Sequence, residues 1–118
     1  MEIKRRATAD SAVLNRAARC LASPYIDEIG ALQERAAQID WGLRSPHCDR
    51  SASVALHLEA GEVSRRATEL LATLESEAAR APAGVANHSR VGDVRRALGT
   101  VSARVGRLDK GALHLRQG

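Results

Sequence analysis

With 118 residues, 44% hydrophobic, 2% aromatic and no phenylalanine, the chain suffices for one domain with a modest core of small side chains. No run approaches the roughly 18 apolar residues of a membrane span. Met1-Glu2-Ile3-Lys4-Arg5-Arg6 is charged without an apolar stretch after it, so no cleaved leader is expected either. The net charge of +4 is unevenly placed: net +3 over residues 1–22, −4 over 23–89 and +5 over 90–118. Either basic end helices pack beside an acidic centre, or the basic ends meet nucleic acid or an acidic partner. Lys4 and Lys110 are the only lysines. High alanine and arginine with little lysine suggests a GC-rich bacterial genome, and a cytoplasmic protein is expected, with signal-less export left open.

Residues 1–7 read as a basic tail. Thr8 or Asp10 offers an oxygen to cap a first helix ending near Ala22, whose apolar face is Val13, Leu14, Ala17, Ala18 and Leu21. Ser23-Pro24 then restarts the chain, with Ser23 as cap and Pro24 in the first helical position. A second helix over about 24–43 carries Tyr25, Ile29, Leu32, Ala36, Ile39 and Leu43, spaced alternately four and three residues apart. That is a heptad seam, a narrow stripe suited to burial against another helix. Residues 44–50 read as a turn broken by Pro46, with Asp49 or Ser51 capping the next helix.

The third helix, about 51–80, repeats the seam at Leu56, Ala60, Val63, Ala67, Leu70 and Leu74. A short connection joins antiparallel neighbours, so these two helices read as an antiparallel hairpin. Ala81-Pro82-Ala83-Gly84 is a stop, and residues 82–88 form a linker. The last helix, about 90–110, has a heptad seam of Val91, Val94, Leu98, Val101, Val105 and Leu108 that Ala112 and Leu115 would continue, while residues 111–118 are expected to fray. Gly92, Gly99 and Gly106 recur at one heptad position beside it, at a cost of roughly 1 kcal/mol of helix propensity each. The expected architecture is all-α: the hairpin within a three- to four-helix bundle forming one domain over residues 1–118.

Chemistry-bearing motifs are sparse. His47-Cys48-Asp49 with His57 has metal-binding residue types, but three adjacent side chains do not readily converge into a tetrahedral site, and a polar turn explains them. Cys20 and Cys48 flank a helix about 30 Å long, far beyond disulfide reach. The four histidines, His47, His57, His88 and His114, sit in unrelated contexts, and no glycine-rich loop is followed by Lys-Ser/Thr. No enzyme activity, cofactor or metal is expected.

The stretch from Leu98 to Gly111 resembles the recognition helix and wing start of winged-helix regulators. It implies phosphate contacts from Arg95, Arg96, Arg104 and Arg107. It departs from that pattern in lacking the turn before the recognition helix. Trp41-Gly42 near the hairpin turn resembles the small secreted WXG helical hairpins, although position 43 is Leu where that motif has Gly.

The function expected from these features is a non-enzymatic helical interaction module: an oligomer-forming protein, a secretion partner or chaperone, or a small inhibitor. Its contact residues are expected to be Val91, Val94, Leu98, Val101, Val105 and Leu108, with Trp41 either covering a neighbouring helix or serving as an exposed anchor. The alternative is a nucleic-acid-binding regulator using the basic last helix.

Overall fold

A computed structural model describes the backbone of residues 2–117 and the side chains of residues 11–108. Three helices, α1 (Glu2–Arg44), α2 (Arg50–Arg80) and α3 (Ser89–Gln117), pack as a bundle 68 Å long and 22 by 17 Å across. Partners along α1 and α2 run in opposite order: Gly42 lies beside Leu56, Arg35 pairs with Glu59, Glu28 with Arg66, and Tyr25 donates to Glu77. Those along α1 and α3 run in the same order, with Asn15 bonded to Arg90 and Asp40 paired with Arg104.

Pro24 does not divide α1. The 43-residue helix passes through it, and Ser23 caps nothing. A proline inside a helix removes one backbone bond, here the one to the Cys20 carbonyl, and costs about 3 kcal/mol. Two features offset this. Cys20 and Pro24 are exposed, so water reaches the freed carbonyl. The buried residues on both sides also form one unbroken stripe: Ala18, Ala22, Tyr25, Ile29, Leu32, Ala36 and Ile39. Burying a single Ile or Leu contributes about 1.5–3 kcal/mol, so the packing just beyond Pro24 outweighs the lost bond. At its start α1 is already helical at Glu2, ahead of Thr8 and Asp10, which therefore do not open it.

The α1–α2 turn is held by Ser45 N–H to the Gly42 carbonyl (3.2 Å) and Cys48 N–H to the Ser45 carbonyl (3.1 Å). Asp49 is the cap of α2, its Oδ1 accepting from Ala52 N–H at 2.7 Å. In α2 the buried residues are His57, Ala60, Val63, Ala67, Leu70, Leu74 and Ala78. Leu56 lies at the flank, half-buried against Gly42, and His57 takes the inward place. His57 is 8% exposed, and its Nδ1 meets the Ser53 carbonyl at 2.7 Å, donating its proton to that acceptor.

Residues 81–88 link α2 to α3. Val85 turns fully inward and closes the end of the core, held by its N–H to the Pro82 carbonyl (3.2 Å) and by its own carbonyl accepting from His88 N–H (3.0 Å). Beside it Gly84 has φ +96°, and a Cβ there would come within 3.2 Å of Leu14. The backbone conformation calls for glycine, and the space beside Leu14 is tight. From α3 the core takes Val91, Val94, Leu98, Val101 and Val105. The helix continues through Gly111 to Gln117, past the point where fraying is expected, while the side chains of Ala112 and Leu115 lie outside the described residues.

Candidate interaction surface

The α3 stripe expected to meet a partner is inside the bundle. Val91, Val94, Leu98, Val101 and Val105 are between 0 and 5% exposed, and Leu108 is half-buried against the same core. Their spacing marks a face that must be covered, and α1 and α2 cover it. The glycines beside them are a different case. A Cβ at Gly92, Gly99 or Gly106 would meet nothing within 4 Å, so within the chain they admit no close neighbour.

Trp41 is the residue of the expected set that remains outside. It is 76% exposed and covers neither neighbouring helix. It ends a second stripe along the outer flank of α1, formed by Ala22, Ile26, Gly30, Gln33, Ala37 and Trp41 at spacings of four, four, three, four and four. All but Ala22 are exposed, and Ile26 is exposed to 60%. This stripe was available in the sequence, where the stronger inward stripe of the same helix masks it.

Beside Ile26 lies an open crevice of about 450 Å³ between α1 and α3. Ile26, Ile29, Val94 and Ala97 give it apolar walls, and Arg19, Arg90 and Asp93 stand among its lining. Further along the same two helices a second hollow, about 400 Å³, is bordered by Asp40, Arg44, Arg104, Arg107 and Leu108.

The four arginines of the nucleic-acid reading divide into two kinds. Arg95 reaches Glu75 on α2 at 2.5 Å, and Arg104 reaches Asp40 on α1 at 3.4 Å, so both join basic α3 to acidic groups elsewhere. Arg96 pairs with Asp93 one turn earlier at 3.3 Å, and Arg107 forms no ion pair with a described residue. Across α1 and α2 the corresponding pairs are Arg35 with Glu59 (3.3 Å) and Arg66 with Glu28 (2.6 Å). The Glu28 carboxylate raises the Arg66 pKa further, so that cation stays charged. Exposed pairs of this type contribute about 0–1 kcal/mol each, and they fix which faces meet more than they stabilise.

Tyr25 is the polar group set deepest between α1 and α2. Burial, then its hydrogen bond to Glu77, pushes the phenol from 10.0 up to about 12, so it is a neutral donor at any physiological pH. Cys20 and Cys48 are both free, and the helix from Cys20 to Arg44 alone spans about 36 Å. Among the described residues no three His, Cys, Asp or Glu side chains form a metal-binding group, and Asp49 is engaged as a helix cap. No described helix is long and apolar enough to cross a membrane. The chain matches no family model, no curated protein and no solved structure.

Proposed function

We propose that the protein is a non-enzymatic helical interaction module. In this reading α1 and α2 form an antiparallel hairpin with heptad seams, α3 closes it, and a second protein is held on the outer side of α1. The observation that carries it is Trp41, the only tryptophan, displayed at 76% exposure beside a helix that already has a full inward stripe. Exposed aromatic anchors contribute heavily to interfaces, and this one does nothing for the core. A cytoplasmic secretion partner, chaperone or inhibitor fits this description, as does a homo-oligomer joined through the same face.

The test is affinity capture from the native host, read by mass spectrometry, with wild type and Trp41→Ala compared side by side. Wild type is expected to retain a partner that the variant loses, and Trp41 emission moves to shorter wavelength when that partner is added. Trp41→Ala should shift stability by less than about 0.5 kcal/mol, so the loss is not unfolding. Capture unaffected by the substitution, or no capture by either protein together with a single-copy mass by light scattering, defeats the reading.

The exposure of Arg96 and Arg107 keeps a second reading, nucleic-acid binding along α3. It predicts retention on duplex DNA that falls steeply with salt and is weakened by Arg96→Ala with Arg107→Ala. Two of the four arginines it needs are held in ion pairs within the bundle, which makes it the weaker of the two.

A further inference from the structure

We infer that the crevice between α1 and α3 receives an acidic amphipathic helix from a partner protein, which would lie along the bundle as a fourth helix. This rests on the interaction reading above and names the chemistry of the partner. Ile26 offers the apolar contact. A branched aliphatic at 60% exposure stands over a hollow whose other walls include Ile29, Val94 and Ala97. Gly30 borders the same hollow, and a Cβ there would meet nothing within 4 Å, so a helix can approach closely at that point.

The electrostatic contact comes from charge beside the crevice and beside the second hollow. Arg19 and Arg90 stand at the first, and Arg44, Arg104 and Arg107 at the second. Two aspartates lie among them, and both are already engaged. Asp93 is 3.3 Å from Arg96, while Asp40 is 3.2 Å from Arg44 and 3.4 Å from Arg104. Arg90 donates to the neutral Asn15 amide oxygen at 3.2 Å. Arg19 and Arg107 form no ion pair with a described residue. Positive charge is therefore left over beside the apolar crevice and again at the second hollow further along the same two helices, and an acidic occupant is complementary to it.

The spacing suits a helix. From Arg90 to Arg104 along α3 is about 21 Å, the length of about 14 helical residues. A second copy of this chain fits poorly, because two-fold pairing of one crevice with itself sets arginines against arginines.

The experiment uses the full chain as bait for a displayed library of helices about 18 residues long, with randomised charges around an apolar stripe. Enriched sequences are expected to carry Asp and Glu at both ends. A synthetic copy of the best one should bind less tightly as salt rises. Ile26→Asp should weaken it about tenfold or more, and Arg19→Glu with Arg107→Glu by several-fold. Gly30→Glu is the second variant: it fills and charges the mouth of the crevice from a position that also favours helix, so its fold is secure. Circular dichroism verifies that each variant is folded. Enrichment of basic or neutral helices, no enrichment, or binding that survives both Ile26→Asp and Gly30→Glu overturns the inference. So does a doubled mass by light scattering that Ile26→Asp returns to one copy. If host capture depends on Trp41 while the library yields nothing, the interaction module stands and the acidic-helix partner falls.

Discussion

The side of α1 that faces α2 and the side that faces α3 are built from similar residues but finished differently. Toward α2 the apolar stripe is bordered by Arg35 with Glu59, Glu28 with Arg66, and Tyr25 with Glu77, three polar pairs between residues 25 and 35. Toward α3 the polar contacts are Asn15 with Arg90 near one end and Asp40 with Arg104 near the other. Between them the crevice stays open and Ile26 is uncovered. The α1–α2 seam uses its charges to bridge the helices, whereas beside the α1–α3 seam Arg19 and Arg107 form no ion pair with a described residue. In the interaction module proposed above, the first seam holds the fold and the second gives up surface to a partner.

Val101 carries the largest expected effect. It belongs to the interior at 3% exposure, and Val101→Asp buries a carboxylate in the apolar core. An unpaired buried charge costs several kcal/mol, a large share of what a domain this size possesses. The variant should lose its helical circular dichroism signal at room temperature; a folded variant that lost only a partner would show that the α3 stripe is not core.

Gly84→Ala tests the closed end of the bundle. A left-handed residue with a Cβ costs about 1–2 kcal/mol, and here the added methyl also presses on Leu14. A lowered melting temperature is expected, and an unchanged one would mean the linker rearranges freely over α1.

Tyr25→Phe probes the polar border toward α2 and should cost about 1–2 kcal/mol by removing the donor to Glu77. Its pH signature comes from the raised phenol. Because the folded protein favours the neutral form, the contribution is intact below pH 10.0 and is lost as pH rises through about 12. Wild type should therefore lose stability faster than Tyr25→Phe across that window in alkaline denaturation.

The smallest effect has the opposite sign. Gly99→Ala adds a methyl into open space on a helix and should stabilise by about 1 kcal/mol. Gly42→Ala, whose methyl would meet Leu56 Cδ1 at 2.9 Å, should give less or nothing, since that side chain must first move aside.

The helical class and the inward positions of the middle of the chain were legible because their signal is local. Ala60, Val63, Ala67, Leu70 and Leu74 recur at helical spacing, and all five are buried. Pro24 misleads for the same reason. Its local preference is to start a helix, while the stripe it interrupts is continuous on both sides and prevails through packing. Val85 could not be found by periodicity at all, because it reaches the core from a linker. The site was the least legible part. Spacing shows that the α3 stripe must be covered but not by what, and α1 and α2 cover it within the chain. The crevice beside Ile26 depends on how far apart α1 and α3 settle, which no stretch of either helix encodes.

The crevice also lies between the two helices that are most distant along the chain. Contacts of α2 with α1 and with α3 each close through a short connection, whereas bringing α1 against α3 requires the whole of α2 to be in place first. Loop closure therefore favours the two neighbouring pairs early and the α1–α3 seam late. A fourth helix seated there would bind across the seam that the chain closes last, and its binding would slow the amide exchange of both flanking helices together.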